Sequence, residues 1–184
     1  MYISVYRFHT KDAPEDIIFL KNLEKYLLKN DKSLTILGSQ TFNKVNEHNF
    51  YKNIFKNINF NFIERSAKRE TYKILDQSNI SINIDSTAGY ESLSRNNKVG
   101  FFCIRGNQYP YNSLKFGWPN YFPNKGLFWT DKNNYVEIER VLNYLTKTND
   151  KQFLNRNNKI INIVMEKDKN NKKFTRYINK LIRK

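Results

Sequence analysis

The stretch Asp85-Ser86-Thr87-Ala88-Gly89-Tyr90-Glu91 gathers the residue types that hold a phosphate. It follows the apolar run "ISINID" (80–85) and opens a helix-like segment, which places it at a strand-to-helix turn. A helix N-terminus leaves backbone N–H groups without intrahelical partners and carries partial positive charge. Ser86 and Thr87 would add hydroxyl donors, and Gly89 would let a ligand approach the backbone, so the turn meets the requirements of a phosphate site with Asp85 at its entrance. Glu91 would accept from ribose hydroxyls if the phosphate belonged to a nucleotide. The same residues also suit a plain helix start, with Ser86 or Thr87 as N-cap and Glu91 complementing the dipole. Glu91 lies four residues after Thr87 rather than three, so the two do not form a capping box. Local chemistry leaves both readings open.

Basic residues follow two other apolar runs: Arg7, His9 and Lys11 after the first, and Arg65, Lys68 and Arg69 after the third. Collected at one sheet edge, they would complement a diphosphate or a sugar-acid carboxylate, arginine in a bidentate way. Each alone also suits a solvated charge. The chain has no GxGxxG, no GxxxxGK[ST], no GxSxG and no metal-ligand cluster, which removes support for dinucleotide oxidoreductases, P-loop NTPases and serine hydrolases. No cofactor or metal is expected. With only His9 and His48 present, histidine-centred catalysis has one candidate, His9.

These side chains must be positioned by the elements around them. Apolar runs at 2–8, 34–38, 60–65, 80–85, 98–104 and 126–130 read as strands, alternating with helical periodicity at 15–29, 47–57, 69–78, 88–96 and 134–147. Asp12-Ala13-Pro14 supplies the first helix start. Near-continuous apolar strands alternating with helices predict an α/β protein, a Rossmann-like doubly wound parallel sheet covered on both faces. Further helices follow from about 151 to 184, interrupted near 168–172. There is no internal repeat and no Gly/Ser linker, so residues 1–184 read as one domain.

The segment 105–126 is the sole long irregular stretch, and loops of that length in compact domains tend to be functional. It carries Tyr109, Tyr111, Phe116, Trp118, Tyr121 and Phe122. Most of these rings are expected as core, with Arg105 and Asn107 near a ligand, although the segment could also close over a sugar.

The charge of +15, from 32 Lys and Arg against 17 Asp and Glu, points to polyanions or an anionic membrane as partners. Lys, Asn, Ile, Tyr and Phe are abundant together, however, a bias of AT-rich genomes that raises charge without selection for binding. Eight basic residues fall between Lys167 and Lys184, a solvated helix face or a patch for nucleic acid or membrane. The lone Cys103, inside "VGFFCI", reads as a small core residue. No run reaches the length of a membrane helix and no signal-peptide order opens the chain, which predicts a soluble, cytoplasmic protein, peripheral at the inner membrane face if the basic end binds lipid.

The stretch "IDSTAGYESLSRNNKVGFF", with "YRFHTKDAPED", "FGWP" (116–119) and "GLFWTD" (126–131), resembles the C-terminal nucleotide-sugar-binding domain of GT-B fold glycosyltransferases, most closely O-antigen (surface polysaccharide) biosynthesis proteins. Many members carry Leu and Arg-Gly where this chain has Ala88 and Arg95-Asn96. The resemblance spans most of the chain. It implies a donor half-site with Ser86 and Thr87 on phosphate, Glu91 on or near the ribose, and the base and sugar open, CMP-activated acidic sugars included. It also implies a glycan or lipid-linked acceptor, and an acceptor domain outside this sequence, either on a separate chain or because this is a fragment or a split gene product. Two alternatives remain: a non-catalytic basic module binding nucleic acid or anionic membrane, and a sugar-nucleotide epimerase, for which the acid/base groups are not evident.

Overall fold

The computed structural model describes residues 1–6, 14–65, 70–107, 109, 111–165 and 171–182. Six parallel strands form one sheet: β1 (Tyr2–Ile3), β2 (Leu34–Leu37), β3 (Phe60–Ile63), β4 (Ser81–Asn83), β5 (Val99–Phe102) and β6 (Trp129–Thr130). Their order is β3-β2-β1-β4-β5-β6, the Rossmann-like arrangement. The helices are α1 (Pro14–Lys29), α2 (Lys44–Ile54), α3 (Thr71–Asp76), α4 (Thr87–Ser94), α5 (Tyr135–Lys147), α6 (Asp150–Val164) and α7 (Lys172–Ile182). Pro14 opens α1, where its missing N–H costs nothing, with Glu15 and Asp16 behind it complementing the dipole.

Residue alternation along the strands shows why both faces are covered. Phe102 packs on Phe19 of α1 at 4.6 Å, while its neighbour Phe101 packs on Tyr90 of α4, also at 4.6 Å. On β1, Tyr2 belongs to the main core, and Ile3 joins Leu37 and Leu75 in a smaller cluster on the other face. Helix α1 packs against α2 and α5, and α4 packs against α3 and α6. Each fully buried aromatic or aliphatic side chain contributes about 1.5–3 kcal/mol, so the two layers hold the sheet edge rigid.

Strand pairing ends earlier than the apolar runs do. Between β1 and β4 the ladder holds one pair, Tyr2 with Ile82. Ser4 still donates its amide to the Leu37 carbonyl of β2 at 2.9 Å, and residues 4–6 with Asp85 form a wall at the point where the strand order reverses. Helix α4 ends at Arg95 and Asn96, and Asn96 takes a left-handed φ of 71°. Asn is among the few side chains that tolerate this region, so it serves where the resembling proteins carry Gly.

In the segment 105–126, two of the six rings pack inward. Phe116 is 4% exposed and stacks on Trp129 at 4.4 Å, with Phe122 beside it, so "FGWP" and "GLFWTD" meet each other in the core. Tyr109, Tyr111, Trp118 and Tyr121 are exposed, against the expectation that most rings are core. Cys103 is buried and free, as expected of a core residue. Among the described residues, no helix is long and apolar enough to cross a membrane.

Candidate functional site

A cleft of about 950 Å³ opens at the carboxyl edge of the sheet. Its walls are the residues after β1 (Ser4, Val5, Tyr6), the β2–α2 loop (Gly38, Ser39, Gln40), Arg65 after β3, Thr71 and Tyr72 of α3, and Asp85, Ser86, Thr87, Ala88 and Glu91. It lies at the topological switch point between β1 and β4, where open α/β sheets bind their ligands.

The turn after β4 is shaped by a buried asparagine. Asn83 accepts from the Ser86 amide at 3.1 Å and donates to the Gly100 carbonyl at 3.3 Å. Ser86 has the extended backbone of an N-cap (φ −81°, ψ 131°), yet its side chain makes no capping bond. The Gly89 amide donates to the Ser86 carbonyl at 3.0 Å, and among the described residues nothing accepts from the amides of Thr87 and Ala88. Among the described residues, two hydroxyls and two amides at the start of α4 are thus uncommitted beside the cleft. Gly89 sits behind them. A Cβ there would lie 2.3 Å from Asn83 Nδ2, so the glycine makes room for Asn83 and does not line the cleft.

Asp85 is held from below. Arg105 donates to its Oδ2 at 2.8 Å and grips both oxygens of Asp16, with Nε–Oδ1 at 2.9 Å. Burial disfavours the charged guanidinium, but the carboxylates of Asp16 and Asp85 outweigh it, so the Arg105 pKa rises. Arg105 is only 6% exposed, and its charge is directed at these two partners rather than into the cleft. Glu91 accepts from the Tyr72 hydroxyl at 2.8 Å, and Arg65 donates to the Ser39 carbonyl at 2.9 Å while remaining exposed at the rim.

The structure brings Arg65, Asp85, Ser86, Thr87 and Glu91 to one cleft. Arg7, His9 and Lys11 lie outside the described residues, as do Lys68 and Arg69, and the Asn107 side chain is likewise not described. His48 stacks on Phe62 at 4.6 Å and serves packing. No described residue of 105–126 lines the cleft.

Sequence reasoning missed Glu47. This fully buried carboxylate accepts from the amides of Ser39 (2.9 Å) and Gln40 (2.9 Å), from the Ser39 hydroxyl (3.0 Å) and from Ser4. It fixes the β2–α2 loop as one wall. Tyr51, one turn on, contacts Ser4 Oγ at 2.7 Å, and burial drives its pKa up. An acidic residue near the start of a helix that follows a strand was the available signal, but its partners are backbone amides, which no side-chain pattern reveals.

Comparison with known proteins gives one family. Proteins described as "putative O-antigen biosynthesis protein" match this chain over residues 8–182. Among curated proteins and solved structures, nothing matches.

Proposed function

The chain belongs to the family of putative O-antigen biosynthesis proteins, and from that premise we propose that the cleft is the donor half-site of a glycosyltransferase and holds a nucleotide-sugar. The observation that carries this reading is the start of α4, where the Ser86 and Thr87 hydroxyls and the Thr87 and Ala88 amides are left uncommitted beside a cleft large enough for a nucleotide. A helix cap that spent its hydroxyl on its own backbone would offer no such set.

In this reading the donor phosphate sits on α4, and Arg65 at the rim adds a charge-assisted contact. Glu91, oriented by Tyr72, accepts from the ribose. Asp85 takes its place at the turn because Arg105 pins it, so Arg105 is a positioning residue. As the bond from the anomeric carbon to the phosphate oxygen breaks, that oxygen keeps the electron pair, and the helix amides and hydroxyls stabilise the developing charge. The acceptor hydroxyl, on a glycan or lipid-linked sugar, forms the new bond and gives its proton to a base. Within this chain the candidate base is His9; an acceptor domain outside this sequence is the alternative source.

The test is calorimetric titration of UDP, CMP and GDP into the protein and its Ser86→Ala/Thr87→Ala variant, with thermal melts of both. Each hydroxyl bonded to a charged phosphate contributes about 1.5–3 kcal/mol, so affinity falls by about tenfold or more. The melting temperature stays close to that of the parent, because Ser86 does not cap the helix. A lowered melting temperature with unchanged nucleotide affinity overturns the reading and makes the residues caps.

A further inference from the structure

Helix α7 buries none of its eleven residues. Phe174, Tyr177, Ile178 and Leu181 follow one another at the i, i+3, i+4, i+7 spacing of a single helical face, continued by Ile182. Tyr177 is 63% exposed, Leu181 51% and Ile182 76%. Lys172, Lys173, Arg176 and Lys180 occupy the opposite arc, and α7 contains no acidic residue. A second set of exposed apolar groups lies at the end of α6. There Asn120 donates to the Ile163 carbonyl at 3.4 Å, which fixes the loop bearing Trp118 and Tyr121 beside Ile163 and Met165. In sequence, α7 begins seven residues after Met165.

We infer that α7 is an in-plane anchor for an anionic lipid surface, with the Trp118 and Tyr121 rings, on the loop beside the end of α6, as further interfacial contacts. Three occupants fit an amphipathic basic helix, and the chemistry separates them. Nucleic acid takes the lysines but leaves the Tyr177, Leu181 and Ile182 face in water. A second copy of the chain covers the apolar face but brings eight further basic residues from the same segment against the first eight, which repel. An anionic bilayer takes both arcs, the apolar side chains at the acyl boundary and the cations at the headgroups. Tyr and Trp, with an apolar body and a polar tip, suit that boundary.

The inference does not depend on what fills the cleft, and its experiment is separate. Full-length protein is sedimented with vesicles of phosphatidylcholine alone and of phosphatidylcholine mixed with phosphatidylglycerol, across a salt series. The expected result is binding to the mixed vesicles, weakening as salt rises, and little binding to the neutral ones. Lys172→Gln/Arg176→Gln/Lys180→Gln weakens binding by about a hundredfold and flattens the salt dependence. Tyr177→Ser/Leu181→Ser weakens it by about tenfold or more. Both variants melt with the parent, because α7 contributes no buried residue. Parent protein left in the supernatant with anionic vesicles overturns the inference. So does parent-like vesicle binding by both variants. Self-association of the parent that Tyr177→Ser/Leu181→Ser abolishes, without vesicle binding, assigns the face to a second copy and rejects the lipid. Retention on duplex DNA with no vesicle binding rejects it likewise.

Discussion

At the scale of single residues, the turn at 85–91 separates side chains that face the cleft from those that hold it in shape. Gly89 belongs to the second group, since Asn83, fully buried, fills the space its Cβ would take. Gly89→Ala must push Asn83 aside and break its bonds to the Ser86 amide and Gly100 carbonyl, at a cost of about 1–3 kcal/mol. Asn83→Ala alone is also destabilising, because it strands the same two backbone groups. The combined variant, Asn83→Ala/Gly89→Ala, loses less than the sum, because the clash is gone. Denaturant unfolding of the four proteins measures that coupling. Full additivity would mean that the two residues do not share the space. Asn96 makes a related point: the backbone just after α4 is left-handed there, a conformation that Asn tolerates better than most side chains.

At the scale of elements, α2 shows what a helix contributes to the cleft without lining it. Glu47, in its first turn, gathers the amides of Ser39 and Gln40 and so fixes the β2–α2 loop. Glu47→Gln removes a charge from these bonds and one acceptor oxygen, costing about 1.5–3 kcal/mol, and at about 2–4 °C per kcal/mol the melting temperature falls by several degrees. Hydrogen exchange at 38–40 rises in the same variant, and unchanged exchange there would show that the loop is held by other means. The alternation of strands and helices was legible from apolar periodicity, because a parallel sheet buries both faces of its strands. The strand ends were not legible. Ile84 is buried beyond the last ladder pair of β4, so apolarity persists after pairing stops. Helix α2 begins three residues earlier than periodicity predicts, because its first turn serves the loop and not the core. The Ser86-Thr87 turn is legible as a candidate site, whereas the role of Arg105 is not, because its partner Asp16 lies 89 positions away.

At the scale of the molecule, that ion pair joins the two halves of the sheet. Asp16 stands in the first turn of α1, on one face; Asp85 precedes the first turn of α4, on the other; Arg105 follows β5 and reaches both beneath the cleft. The diverging loops of the switch point are thereby held at a fixed spacing. Arg105→Met leaves two carboxylates in a buried site without their counter-charge, and breaking a buried pair from one side costs about 3–5 kcal/mol. Asp16→Asn/Asp85→Asn/Arg105→Met removes the stranded charges too and recovers most of that loss, because neutral groups of similar shape carry a smaller desolvation penalty. Stability and function should then part. The triple variant folds, but the side chain at position 85 is no longer charged or pinned at the turn, so nucleotide affinity by calorimetry stays below that of the parent while its denaturation midpoint approaches it. Parent-like stability of Arg105→Met would show that the carboxylates find other partners. Parent-like nucleotide affinity in the triple variant would show that Arg105 holds the fold together without positioning the site.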